Sequence, residues 1–98
     1  MIELTSKQRK YLEKEAHALQ PVVIVGGAGV TEGLIQMADN SLAAHELIQI
    51  KFNEYKDEVK ELTAQICKSC DATLVRIIGF TAILYRQAEE PENRKFKL

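Results

Sequence analysis

The chain has 98 residues, of which 46% are hydrophobic and 28% charged, so it is long enough for one domain with one hydrophobic core and too short for two ordinary domains. Its 13 basic and 14 acidic side chains nearly cancel, which excludes a generally cationic protein that coats nucleic acid. Any site for a polyanion must therefore be a local feature of the surface.

The first predicted element is a helix over about residues 6–18. Thr5 and Gln8 have the spacing of a capping box, and apolar residues then recur at helical intervals. Three lysines at intervals of three and four residues share one face of this helix. They are Lys7, Lys10 and Lys14. This face is either a solvated surface or a source of positive field for an anionic partner.

The next stretch predicts a strand, a tight loop and a second helix. A β-branched apolar run, residues 22–25, stops at the sequence Gly26-Gly27-Ala28-Gly29, and Thr31 is placed to cap a helix over about residues 32–44. Such a loop exposes main-chain N–H groups at the positive end of a helix. It can therefore receive an anionic oxygen such as that of a phosphate, although a plain strand-to-helix turn would have the same pattern.

The second half of the chain predicts one more helix and three strands. Residues 48–52 alternate in polarity and indicate a strand, and residues 57–69 have helical spacing. Residues 73–78 and 81–86 are β-rich runs separated by Gly79 and Phe80, which favours a hairpin. The tail from Gln87 onward is charged and contains Pro91, so we expect it to be loosely held.

The predicted order is therefore α-β-α-β-α-β-β in a single domain spanning residues 1–98. Two strand-helix-strand crossovers imply a partly parallel sheet, and the final hairpin makes it mixed. The fold class is α/β, close to α+β, with a four-stranded sheet and three helices. Residues 15–50 contain no Lys or Arg, so cations near the glycine loop must come from the first helix or the late strands.

Enzyme chemistry has no clear location in this sequence. Cys67 and Cys70 form a C-x-x-C, but the pair ends a helix, where the dipole raises a thiol pKa, so two buried or half-buried cysteines are favoured over a redox or zinc site. We predict no catalytic residue, cofactor or metal ion. The absence of an apolar run long enough for a membrane, and of a signal-peptide pattern at the start, predicts a cytoplasmic protein without a membrane partner.

The glycine loop has the form that KH domains use to clamp an RNA backbone. Beyond that, the chain resembles YhbY-like proteins, the stand-alone bacterial form of the CRM domain, named for chloroplast RNA splicing and ribosome maturation. The resemblance runs from about residue 4 to residue 86. It rests on the opening residues 4–8, residues 16–23, Gly-Gly-Ala-Gly with Val-Thr-Glu-Gly at 26–33, His-Glu-Leu-Ile at 45–48 and Ile-Gly-Phe-Thr-Ala-Ile-Leu-Tyr-Arg at 78–86.

This resemblance implies a fold similar to the C-terminal domain of translation initiation factor three. It also implies an RNA-binding protein that acts on ribosomal RNA in precursors of the large subunit. Independently of the resemblance, we expect the protein to be a monomer. The RNA-contacting residues would be the loop with Thr31, the basic face of the first helix and Arg86, which could equally be a strand-end residue in a surface ion pair. They are Gly26, Gly27, Ala28, Gly29, Thr31, Lys7, Lys10, Lys14 and Arg86.

Two positions depart from the family pattern. Many members have a lysine or a polar residue between the loop glycines, whereas Gly27 and Ala28 offer only backbone. Phe80 stands where the last motif often has a basic residue, and it could stack on a base or contact the core or the rim of the sheet. The alternative function is a protein-interaction module of ribosome assembly that does not contact RNA.

Overall fold

The computed structural model describes residues 2–98 and has the predicted order of elements. Three α-helices and a four-stranded mixed sheet form one domain, which confirms the predicted fold class. None of the helices in this range is long and apolar enough to cross a membrane. The elements are α1 Ser6–Ala16, β1 Val23–Val25, α2 Glu32–His45, β2 Leu47–Phe52, α3 Val59–Cys70, β3 Thr73–Ile78 and β4 Thr81–Tyr85.

Local sequence signals set the helix ends. The Thr5–Gln8 capping box is present, and the Thr31 hydroxyl accepts a hydrogen bond from the N–H of Leu34 at 3.1 Å, so both predicted caps are confirmed. The prediction that α1 continues to residue 18 was wrong, because after Ala16 the chain changes to tighter three-residue hydrogen bonds, such as that from the Leu19 N–H to the Ala16 carbonyl.

The sheet has the strand order β1-β2-β4-β3. Strand β1 pairs with β2 in parallel, with Val25 opposite Phe52, whereas β4 pairs antiparallel with both β2 and β3. Each strand-helix-strand crossover therefore joins two strands that point the same way, as predicted. Gly79 begins the β3–β4 hairpin turn with a φ of +58°, and Phe80 follows it with a negative φ, which is the pattern of a type II′ turn.

The helices lie on both faces of the sheet. Helices α2 and α3 cover one face, where Leu42 and Ile66 pack with Phe52 in a buried cluster. Helix α1 covers part of the other face, where Leu12 packs with Tyr85 in a second cluster. The alternation along β2 separates the two clusters, since Ile48, Ile50 and Phe52 belong to the first and Leu47 to the second.

The C-terminal tail has defined contacts in the structure. Glu46, which ends α2 with a φ of +63° and is 2% exposed, accepts hydrogen bonds from the backbone N–H groups of Ala88 and Lys95. Phe96 packs edge-on against Tyr85. How mobile the tail is in solution stays a prediction.

Candidate nucleic-acid interface

The glycine loop is a tight turn that leaves the end of β1. The N–H of Gly29 donates to the carbonyl of Gly26 at 3.0 Å, and Gly29 has a φ of +74°, so it needs the freedom of glycine. Gly27 and Ala28 are exposed at the tip. Within residues 2–98, the N–H groups of Gly27, Ala28 and Val30 make no hydrogen bond to the protein. The turn therefore presents unused backbone donors to solvent.

The protein itself does not require glycine at Gly26 and Gly27. Neither has a positive φ, and a Cβ atom built at either position would meet nothing within 4 Å. A small residue with open space around it allows another molecule to approach the backbone closely. Next to the loop, Glu32 and Gly33 in the first turn of α2 add N–H groups that have no partner within the helix.

Tyr55 fixes the loop from the connection between β2 and α3. Its hydroxyl donates to the carbonyl of Gly27 at 2.7 Å, and two of its ring atoms lie 3.4 and 3.5 Å from the position of a Cβ atom on Gly29. Tyr55 was not among the residues predicted from the sequence. The available signal was an aromatic side chain within the otherwise polar turn at residues 53–56.

We expect Gly29→Ala to lower the free energy of unfolding by about 1 kcal/mol, because the substitution places a Cβ atom at a left-handed φ. Gly27→Ala is the matched control, and it should leave stability unchanged or slightly raised, since its φ is ordinary and its surroundings are open. Urea unfolding of both variants provides the comparison. Equal losses would contradict the assigned geometry of the loop.

The α1 lysines form a line on the helix and do not form a cluster at the loop. The Ala16 carbonyl accepts a hydrogen bond from Gln49, three residues before the end of β2, so the end of α1 lies roughly 10 Å along the strand from the edge where the loop begins. Lys14 is in this last turn. Lys10 lines a shallow groove with Glu13 and Arg76. Lys7 lines a separate depression beside the C-terminus.

Arg86 lies at the other end of the sheet from the loop. It follows the Tyr85–Leu47 pair, whereas the loop follows the Val25–Phe52 pair, so the length of β2, about 17 Å, separates them. Its guanidinium forms an ion pair with Asp39 at 2.6 Å and donates to the carbonyl of Cys70 at 2.8 Å. The structure thus places Arg86 in an ion pair, one of the two roles considered from the sequence, and contact with RNA stays a prediction.

Three residues extend the loop along the same end of the sheet, and we call Tyr55, Lys56 and Phe80 the rim. Tyr55 and Lys56 follow β2, and Phe80 is in the β3–β4 turn. The Lys56 ammonium lies 5.0 Å from the centre of the Phe80 ring, and the ring is 47% exposed. Lys56 is thus a cation on the rim next to the loop, and it was not among the residues predicted from the sequence. Three exposed carboxylates within two residues of Lys56 oppose its field, those of Glu54, Asp57 and Glu58.

The two cysteines are buried free thiols, as predicted. Burial, followed by the effect of neighbouring Cys70, raises the pKa of Cys67 to about 11. The predicted direction is confirmed, and burial is its largest cause. Such a thiol is almost wholly protonated near pH 7 and is a poor nucleophile. Among residues 2–98, no group of three or more His, Cys, Asp or Glu side chains could hold a metal ion.

The chain is similar to proteins whose names or titles describe RNA binding. The chain is 41% identical over 91 residues to an RNA-binding protein of Haemophilus influenzae, covering 92% of each chain. It is 34% identical to the Bacillus subtilis protein named probable RNA-binding protein YqeI, covering 97% of this chain and 98% of the relative. The solution structure of SAV1595 from Staphylococcus aureus superposes with a TM-score of 0.79 and 30% identity, covering 97% of this chain and 100% of that one.

The family comparison covers the elements that form the site. The model of the CRS1 / YhbY (CRM) domain matches residues 4–86, which include α1, the glycine loop, the rim and Arg86. The match ends where the tail begins. The chain belongs to the CRS1 / YhbY (CRM) domain family.

Proposed function

We propose that this protein binds RNA through the glycine loop. The unused N–H groups of Gly27, Ala28 and Val30 would donate to phosphate oxygens of the RNA backbone. Thr31 has its hydroxyl engaged as the cap of α2, so its contribution is to position the helix end beside the loop. The names of the relatives as RNA-binding proteins support this proposal.

The observation on which the proposal mainly rests is the open space at Gly26 and Gly27. No steric or conformational demand inside the protein requires glycine at these two positions. A phosphate backbone packed against the turn would require it, because a side chain there would block the close approach. Because the tip has no side-chain donors, recognition at the loop depends on the shape and backbone of the RNA. Base identity would have to be recognised elsewhere.

The finer proposal is that the RNA is ribosomal RNA in precursors of the large subunit, bound by a cytoplasmic monomer without enzymatic activity. The resemblance of the motifs to YhbY-like proteins supports it. Lys7, Lys10 and Lys14 would attract the phosphates of the RNA strand where it continues beyond the loop. They are needed because the near-neutral chain has no general cationic surface. Arg86 is not needed for this surface, because its guanidinium joins α2 to α3.

Replacing the three lysines by glutamine should weaken binding to structured fragments of large-subunit ribosomal RNA by about tenfold and flatten its dependence on salt. The slope of log affinity against log salt is negative, and each lost phosphate contact reduces its magnitude by roughly 0.7 to 0.9. Fluorescence anisotropy titrations at several salt concentrations measure both quantities. Affinity that does not fall with salt in the native protein would contradict phosphate contact.

The control for this triple variant changes the charge elsewhere by the same amount. Ala64→Glu, Gln65→Glu and Lys68→Gln together lower the net charge by three units, by adding two carboxylates and removing one ammonium on the exposed face of α3. This variant should retain the native slope. If both triple variants lose the same affinity, the lysines act only through net charge.

A protein-interaction module is the rival function. It predicts that association with precursor particles survives treatment with nuclease, whereas direct RNA binding predicts release. Sequencing of RNA crosslinked to the protein in cells would then identify the bound segment.

A further inference from the structure

Phe80 is an exposed aromatic residue in a turn whose backbone is well tied to the sheet. Its backbone carbonyl accepts a hydrogen bond from the N–H of Phe52 at 2.8 Å, which ties the hairpin turn to the end of β2. The type II′ geometry that Gly79 permits restricts the turn further. Nevertheless, 47% of Phe80 is exposed, and it belongs to neither buried core cluster. The fold thus keeps a large apolar ring at the surface.

Lys56 gives this ring a cationic neighbour. The ammonium lies 5.0 Å from the centre of the ring, so an aromatic surface and a mobile positive charge are adjacent. A nucleotide has complementary parts, a flat base and an anionic phosphate. Aromatic rings combined with positive charge are the usual means of binding unpaired nucleotides.

The rim is continuous with the glycine loop. The hydrogen bond from Tyr55 to Gly27 connects the loop to the residue before Lys56, and Lys56 contacts Phe80. These contacts follow the order of the strands β1, β2 and β4 along one end of the sheet. An RNA strand whose phosphate lies on the loop would therefore have its next nucleotides over the rim.

We propose that the rim binds an unpaired nucleotide, with its base stacked on Phe80 and its phosphate beside Lys56. This inference rests on RNA binding at the glycine loop and adds the class of RNA, a single-stranded segment. Stacking is sequence-tolerant because every base has a π face. A base within a duplex is already stacked on both sides and cannot use the ring unless it is flipped out.

The test compares a single-stranded RNA oligonucleotide with the duplex that it forms with its complement. Phe80→Ala should weaken binding of the single strand about tenfold and leave binding of the duplex unchanged. Phe80→Tyr should retain the native affinity, and Phe80→Leu should lose it, because leucine has apolar area without a π face. A 2-aminopurine in the single strand should have its fluorescence quenched by the native protein and by Phe80→Tyr only.

Ile78→Ala is the matched control. Ile78 is 43% exposed in the same hairpin, so this change removes exposed apolar surface without removing a ring, and affinity should stay within twofold of the native value. Thermal melting of each variant establishes that the fold is retained. In addition, Lys56→Gln should reduce the magnitude of the slope of log affinity against log salt by about 0.7 for the single strand.

Three outcomes would overturn the inference while leaving RNA binding at the loop in place. They are native affinity in Phe80→Ala, equal losses on single strand and duplex, or full affinity in Phe80→Leu. A native protein that binds neither these oligonucleotides nor structured ribosomal RNA overturns the proposed function and the rim together. The failure of one proposal is thereby distinguished from the failure of both.

Discussion

Replacing Gly27 and Ala28 together by aspartate is expected to weaken RNA binding about a hundredfold while the fold remains intact. Both residues are exposed at the tip of the loop, where the backbone donors would meet a phosphate. Like charges at about 4 Å repel by roughly 1 kcal/mol in water and about 4 kcal/mol near a protein surface, so two carboxylates account for a loss of this size. Titration with structured ribosomal RNA measures it.

The fold should tolerate this double change. A Cβ atom at Gly27 meets nothing within 4 Å, and aspartate is common in turns, so the free energy of unfolding should change by about 0.5 kcal/mol or less. The control, Ala64→Glu with Gln65→Glu, adds the same two charges on the exposed face of α3. It should bind RNA nearly as well as the native protein. Native affinity in the aspartate variant would rule out the loop as the phosphate site.

Arg86→Ala should destabilise the protein by about 2 kcal/mol and leave RNA affinity within twofold. The substitution removes three hydrogen bonds, to the carboxylate and the carbonyl of Asp39 and to the carbonyl of Cys70. Hydrogen bonds to a charged group contribute about 1.5 to 3 kcal/mol each, but the guanidinium is 24% exposed and the Asp39 side chain 47%, so the sum is reduced by solvent screening. A chain of this size should melt roughly 8 to 16 °C lower.

The comparison variant is Arg76→Ala, which breaks an exposed pair with Glu13 at 3.4 Å. Its arginine side chain is 59% exposed, so we expect a loss of about 0.5 kcal/mol. Calorimetry measures both melting temperatures, and RNA titrations well below them measure affinity. A large loss of RNA affinity in Arg86→Ala without a loss of stability would instead make Arg86 a contact residue.

Most of the fold could be predicted from local patterns. The Thr5–Gln8 box, the Thr31 cap and the glycine at the start of the hairpin turn each specify a short-range geometry, and the structure contains all three. The end of α1 was harder to place, because Ala18 and Leu19 are compatible with a helix in sequence. There the chain must leave the sheet face to begin β1, and this tertiary demand determines where the helix ends.

The candidate site was only partly predictable. The loop glycines are contiguous in sequence, so their pattern is visible, whereas Tyr55 lies 28 residues from the carbonyl that it contacts. The Lys56–Phe80 contact also joins separate segments. Arg86 was predicted as a possible RNA contact, but the structure shows it bonded within the protein. Its position at the end of a strand does not indicate that Asp39 and Cys70 lie close enough to accept its hydrogen bonds. Contacts of this kind depend on the assembled topology.

The two contacts that Tyr55 makes with the glycine loop affect the free energy of ligand binding. A mobile glycine-rich turn loses backbone freedom when a ligand immobilises it, at a cost of about 1 to 2 kcal/mol for each residue ordered. Here the hydrogen bond to Gly27 and the ring against Gly29 restrict the turn before any ligand arrives. Folding of the domain therefore supplies part of the ordering that binding would otherwise require. A loop whose own residues carry no polar side chains can in this way bind as a preorganised surface.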